Sequence, residues 1–179
     1  MAFDGFSHVT ARGNNRSVIF RDEADYEAFL RQFEKVVARF RWRCHAYCLI
    51  PNHYHLLVET PEGNLARGML VLNGWYARRF NLRNERVGHV FGGPYDAKRV
   101  VTDEHLLEVS RYVVLNPVRA GLAAEPGRWR WSSYRATAGL SPRPLFLELD
   151  LVRELCGGPA GYRAFVADGM PSPTSAPAA

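Results

Sequence analysis

Two histidines flank a single residue at the head of an apolar run, Pro51-Asn52-His53-Tyr54-His55-Leu56-Leu57-Val58. Valine, leucine and tyrosine favour a strand, and strand side chains alternate between faces. His53 and His55 are therefore expected on one face, with Tyr54, Leu56 and Val58 on the other. Two imidazoles so placed can grip one divalent ion or one phosphate oxygen. A plain hairpin with two ordinary histidines fits the same residues. A second chemical set lies in 103–116. On a helix, Leu106, Val109, Ser110 and Val113 share one face, and His105, Glu108, Tyr112 and Asn116 form a polar stripe beside it. Tyr112 and Asn116 are four apart and lie one above the other. A rigid rod would present a phenol and an amide to the same point. A packing tyrosine and a helix-end cap would look the same.

The elements that must position these groups follow from periodicity. Residues 7–12 read as a first strand, ended by Gly13-Asn14-Asn15. His8 within it is within reach of a site, though a lone histidine is commonly structural. Tyr26, Phe29, Leu30, Phe33, Val36, Val37 and Phe40 give 23–41 one broad apolar helical face. The segments 43–50 and 53–59 pair as a hairpin through Pro51-Asn52. Asn64 caps a second helix with Leu65, Met69, Leu72, Tyr76 and Phe80 on its face. Gly68 and Gly74 weaken it and point to close approach of another backbone. Residues 97–101 form a fourth strand, and Pro117 is expected to stop the helix at 103–116. This order predicts an α+β ferredoxin-like sandwich, an antiparallel sheet with helices packed on it. Trp129, Trp131 and Tyr134 pack a last short segment. A C-terminal helical extension follows, with a helix at 145–155, a break at 157–161 and a further turn around Tyr162, Phe165 and Val166. The expected division is a catalytic domain at 1–140, the extension at 141–169 and a disordered Pro/Ser/Ala tail at 170–179.

The net charge of +5 belongs to the first half of the chain. Residues 1–99 carry 15 Lys/Arg against 10 Asp/Glu, while 100–179 carry eight of each. Nearly all the positive charge is arginine, which suits bidentate phosphate contacts. Arg12 and Arg16 flank the first turn. Arg78, Arg79, Arg83 and Arg86 surround Phe80, with Glu85 the only local acid. Arginine interleaved with aromatics suits single-stranded nucleic acid, and a solvated helix end is the alternative. Gly88, Gly92 and Gly93 lack the spacing of a nucleotide-binding loop. Cys44 and Cys48 share a strand face but form no Cys-x-x-Cys pair, which argues against a disulfide framework and a zinc knuckle. Neither a signal peptide nor a membrane-spanning run is visible, so a cytoplasmic protein is expected.

Four stretches taken together carry a resemblance. They are His8-Val9-Thr10-Ala11-Arg12-Gly13-Asn14-Asn15-Arg16, the run from His45 to Glu59, Arg111-Tyr112-Val113-Val114-Leu115-Asn116-Pro117-Val118-Arg119-Ala120-Gly121-Leu122, and Trp131-Ser132-Ser133-Tyr134. In this order and spacing the chain resembles the single-strand tyrosine transposases of the His-hydrophobe-His superfamily. The likeness is strongest to the branch associated with repetitive extragenic palindromes. It implies a metal-dependent enzyme that cleaves and rejoins single-stranded DNA, at hairpin-forming palindromes, through a 5′-phosphotyrosine. His53 and His55 match the metal-binding pair, Tyr112 the nucleophile, and Asn116 the polar residue that completes the metal site. The ion implied is Mg²⁺ or Mn²⁺. Where many relatives carry basic residues, this chain has Pro94 and Asp96, and the acid would repel phosphate. The rivals are a replication-initiator type nicking enzyme, normally with a larger accessory region, and a non-catalytic regulator that binds single-stranded or hairpin nucleic acid. Relatives include helix-exchanged dimers, and a monomer is the favoured expectation here.

Overall fold

The hairpin is the first element to place. β2 (Arg43–Ile50) and β3 (His53–Glu59) pair antiparallel across the turn at Pro51-Asn52. The computed structural model describes residues 5–171 of the chain. β1 (Phe6–Arg12) lies antiparallel on the other side of β3, and β4 (Asp96–Arg99) antiparallel beyond β1. The resulting order is β2-β3-β1-β4. With α1 (Glu23–Phe40) between β1 and β2, and α2 (Leu65–Arg83) between β3 and β4, this is the ferredoxin-like sandwich.

Strand alternation divides the core into two layers. Val9, Ala11, Tyr54, Leu56 and Val58 pack against Phe29, Phe33 and Val36 of α1 and Met69, Leu72 and Tyr76 of α2. Phe6, Ala46, Cys48, Ile50 and Leu57 pack on the opposite side against Leu106, Val109 and Val113 of α3 (Asp103–Arg119). The short α4 (Tyr134–Thr137) is followed by α5 (Asp150–Leu155) and α6 (Pro159–Asp168), which close this second layer with Val152, Tyr162 and Val166. Residues 129–133 run along the outer edge of β2. Leu49 N donates to Trp131 O and Ser133 N to Tyr47 O, both at 2.9 Å. These bonds satisfy an edge that would otherwise be open to pairing. Trp131 stacks on Tyr26 at 4.6 Å and is a packing residue.

Several expectations are corrected. Cys44 and Cys48 do not share a face. The register shifts between Cys44 and Ala46, so His45 is an extra residue in the ladder and the alternation restarts. Cys44 joins the α1/α2 layer and Cys48 the α3 layer. Pro117 does not stop α3. A proline inside a helix loses its own N–H bond and crowds the carbonyl one turn back, yet the helix runs on to Arg119. The stop is at Gly121 (φ +68°), where Leu122 N bonds Pro117 O at 2.8 Å and Gly121 N bonds Val118 O at 3.0 Å. That is a Schellman cap, which a glycine just past the helix end makes without strain. The C-terminal helix starts at Asp150 rather than 145, and the glycine-rich break is shorter, with Gly161 inside α6. β4 starts one residue earlier than expected, at Asp96, and ends two earlier, at Arg99. Most of the proposed disordered tail, residues 172–179, lies outside the described residues. No described helix is long and apolar enough to cross a membrane.

The two helix glycines differ. A Cβ on Gly68 would fall 2.1 Å from the Trp42 ring, so it is a side chain, not a backbone, that comes close. Trp42 is held there by donating its indole N–H to Asn64 Oδ1 at 2.7 Å. Gly74 faces open space. Gly68→Ala should therefore destabilise the fold by about 1–3 kcal/mol through overpacking. Gly74→Ala should stabilise it by about 0.5–1 kcal/mol through helix propensity. Urea unfolding of the two variants checks the opposite signs.

Candidate active centre

The antiparallel register sets His55 opposite Thr10 and His53 opposite Arg12. His8, Thr10 and Arg12 thus share one sheet face with His53 and His55, and α3 packs over that face. The His53 and His55 rings stand 4.9 Å apart at 78°, and Tyr112 meets His55 edge-on at 5.5 Å and 87°. His8 stacks on His55 at 5.2 Å and meets Tyr112 edge-on at 5.7 Å. Four rings from two strands and one helix converge at one place. Tyr112 is 40% exposed, which leaves its phenol accessible, while Asn116 one turn on is buried.

The hydrogen bonds define which nitrogens are free. His53 Nδ1 pairs with Asn52 Oδ1 at 2.7 Å, and because the amide oxygen can only accept, that nitrogen carries the proton. His53 Nε2 is then a bare lone pair. His55 Nδ1 pairs with His8 Nε2 at 3.0 Å, while His55 Nε2 is buried without a partner. Burial lowers His53 to about 4, helped by Arg12 and opposed by Asn116. Burial lowers His55 to about 2, with His53, His8 and Arg12 adding to it and Asn116 again opposing. His8 is likewise lowered to about 4, by burial and by Lys98. All three rings are neutral at pH 7, the state a metal ligand requires.

Among the described residues no three His, Cys, Asp or Glu side chains converge as a ready metal cage. The residues present nevertheless fit one divalent ion. They offer an orphaned buried imidazole nitrogen, a second imidazole whose other nitrogen is already occupied, and the Asn116 amide against both rings. That neutral set would leave positions for water and phosphate oxygen.

The rings open into a cleft of about 1030 Å³. Arg12, Arg16, Lys98, Arg119 and His105 supply positive or protonatable groups to its walls, and Asp96 and Glu108 line it as well. Asp96 faces Thr10 and Lys98 faces His8 across the β1–β4 pairing, so the acid carries a base two residues along on the same face. Of the six arginines singled out from the sequence, Arg12 and Arg16 line this cleft. Arg78, Arg79, Arg83 and Arg86 belong to α2 and its end, on the other side of the sheet. Arg79 Nη1 and Arg83 Nη1 bind Asp25 Oδ1 at 3.2 and 2.8 Å, and Arg83 Nη2 binds Asp22 Oδ2 at 2.7 Å. Arg86 lies 5.7 Å over the Phe80 ring. The acids that answer this cluster come from α1, far off in sequence. Arg78 is exposed.

Arg119 is a residue the sequence reading missed. Its guanidinium carbon sits 5.0 Å over the Tyr112 ring, two helical turns along α3. Ending the helix at Pro117 hid it, and the Gly121 cap would have revealed it. Arg111 also lines the cleft, but it is held by Glu108 at 2.7 Å and stacks on Phe165 of α6 at 4.3 Å. It ties the C-terminal helices to α3 beside the tyrosine.

The family described as "Transposase IS200 like" matches residues 3–116. Among solved structures, a REP-associated tyrosine transposase bound to a REP hairpin superposes with a TM-score of 0.65. It is 16% identical and covers 84% of this chain and 88% of its own. A transposase-like protein from Deinococcus radiodurans R1 gives a TM-score of 0.45 at 17% identity, covering 60% of this chain and 87% of its own. Among curated proteins, none matches the chain.

The neutral, buried histidines make the fold acid-sensitive. His45, 2% exposed, is also lowered by burial, against the pull of Glu59. As pH falls below about 6.5, the unfolded chain protonates these rings while the folded chain resists until about 4 for His8 and His53. Stability is therefore complete above that range and lost on acidification. Each well-sheltered ring contributes at most about 1.4 kcal/mol per pH unit, and the partly solvated His8 and His53 less. Calorimetry of the metal-free protein from pH 7 to 5 should show a falling midpoint, and His45→Leu should flatten the slope. A flat wild-type profile would contradict the buried-neutral assignment.

Proposed function

The chain belongs to the IS200-like transposase family, and from that premise we propose that it cleaves and rejoins single-stranded DNA with Tyr112 as the nucleophile. The observation that carries this reading is the convergence of Tyr112 with His53 and His55 in an arginine-lined cleft. The phenol oxygen would attack the scissile phosphorus in line, and the 3′ oxygen would leave as a hydroxyl. The phosphodiester would be conserved as a 5′-phosphotyrosine, so a DNA 3′-hydroxyl can reverse the step and join strands without an energy source. Arg12 and Arg16 would hold flanking phosphates at the strand end of the cleft. Arg119, stacked on Tyr112, would hold the ring in place and set a positive charge beside the attacked phosphate.

His53, His55 and Asn116 would hold Mg²⁺ or Mn²⁺, which when bound neutralises charge developing on the phosphate. The nucleophile and both imidazoles belong to one chain, which favours a monomer complete in itself. We read 1–140 as the catalytic unit and 141–169 as its brace through Arg111 and Phe165. The similar structure bound to a REP hairpin supports hairpin-forming DNA as the substrate class. Asp96 within the cleft would weaken the grip on phosphate there, in part offset by Lys98.

Two tests follow. Tyr112→Phe removes one exposed oxygen, so its folding cost should be about 1 kcal/mol or less. Hairpin DNA binding should persist, while the denaturation-resistant protein–DNA adduct formed with Mn²⁺ should vanish, and peptide mapping of the wild-type adduct should end on Tyr112. Undiminished cleavage by the variant would overturn the assignment, and retained binding with no adduct in the wild type would favour a regulator. Salt titration of hairpin binding should assign the arginines. Arg12→Ala and Arg16→Ala should each reduce the log–log slope by about one. Arg79→Ala and Arg83→Ala should leave that slope alone and lower the unfolding midpoint, because each removes one of the two guanidinium partners of the buried Asp25.

A further inference from the structure

His8 has no part in the chemistry described so far, yet it makes the closest polar contact of either candidate metal ligand from another strand. Its Nε2 lies 3.0 Å from His55 Nδ1, with the rings stacked at 23°. A contact between two neutral imidazoles needs one N–H and one bare nitrogen, so only two arrangements exist. If His8 donates, His55 must carry its own proton on Nε2. That N–H would be buried with no hydrogen bond made to it, and the Asn116 amide against the same ring would have to turn its oxygen to meet it. A buried donor without a partner is destabilising, because it has given up water for nothing. If His55 donates from Nδ1, His8 accepts at Nε2, and the orphaned His55 Nε2 is a lone pair facing the site. The second arrangement leaves no buried N–H unsatisfied at His55.

His53 solves the same problem differently. Asn52 Oδ1 can only accept, so His53 Nδ1 must donate. Asn52 Nδ2 in turn donates to Arg16 O at 3.4 Å, which holds the amide in that orientation. Both imidazoles thereby turn the same nitrogen, Nε2, to the site. One is set by its chain neighbour and the other by a residue 47 positions away on β1.

We propose that His8 is a positioning residue that fixes His55 as its Nδ1–H tautomer, so that His55 Nε2 is permanently available to a divalent cation. His8 is not itself a metal donor, because the nitrogen it aims at the site is spent on His55. The proposal rests on the metal-site reading above, and the experiment separates the two.

The test is long-range ¹H–¹⁵N correlation spectroscopy of the metal-free protein at pH 7, combined with Mn²⁺ titration. In the wild type, His55 should show the Nδ1–H pattern. In His8→Phe, which keeps ring volume and removes the acceptor, that pattern should be lost and Mn²⁺ affinity should fall roughly 10–100-fold. His8→Gln, whose amide oxygen can accept, should recover the tautomer and much of the affinity, and it carries the test if the Phe variant does not fold. An Nε2–H pattern for His55 in the wild type would overturn the proposal, as would unchanged tautomer and affinity in His8→Phe. Failure of wild-type protein to bind Mn²⁺ with the Nδ1–H pattern intact would refute the metal site while upholding the role of His8 in setting the ring.

Discussion

The antiparallel register between β1 and β3 is the constraint on which the site depends. It places Arg12 across from His53 and Thr10 across from His55. Because side chains alternate, a slip of one residue would turn both histidines into the α1/α2 layer and put Tyr54 where they now stand. The apolar residues prevent that slip. Tyr54, Leu56 and Val58 are buried in the opposite layer and could not face the cleft without loss of the core. The loop ends are pinned as well. Gly13 N bonds Asn52 O at 2.8 Å, and Ile19 N bonds Pro51 O at 2.7 Å. The segment carrying Arg16 is thus fastened to the hairpin turn that carries Asn52 and His53. The hydrophobic pattern that folds the sheet also aims its chemistry.

The second component is the attachment of α3. Its apolar stripe, Leu106, Val109 and Val113, seats it on the sheet, and the polar stripe beside it then meets the histidines. Val114 and Leu115 bury the helix further at the level of Asn116. The extra turn past Pro117 brings Arg119 over Tyr112, and Arg111 links the helix to α6. Tyr112 is therefore carried by an element fixed along its length, as catalysis by positioning would require. The exposed phenol and buried amide divide the stripe into a part that can reach substrate and a part that can only face the rings.

Much of this was legible because it is local. A period of two placed His53 and His55 on one face, and the helical period put His105, Glu108 and Tyr112 on the side that lines the cleft. The strand order followed from the succession of elements. What sequence could not supply is long-range. Nothing near Arg79 and Arg83 reveals that Asp22 and Asp25, on another helix, pair with them, so the cluster looked free for DNA. The bulge at His45 is invisible because an inserted residue leaves composition and polarity unchanged. Gly68 signals a close approach but does not name Trp42. Pro117 reads as a stop, although a lost N–H is tolerated within a helix when the packing of its neighbours holds the turn. His8 was legible only as a histidine on a strand, because its partner is set by pairing between strands.

In the proposed reaction one sheet face and one helix bring a metal and a phenol to the same phosphate. Electron spin-echo spectroscopy of Mn²⁺ bound to the Tyr112→Phe protein with hairpin DNA tests this, since loss of the phenol should block turnover and leave the complex intact. Nitrogen couplings from two imidazoles are expected, one lost in His53→Ala and one in His55→Ala, together with a phosphorus coupling from the DNA. Mn²⁺ with no imidazole nitrogen, or with imidazoles but no phosphorus when the DNA is bound, would contradict it.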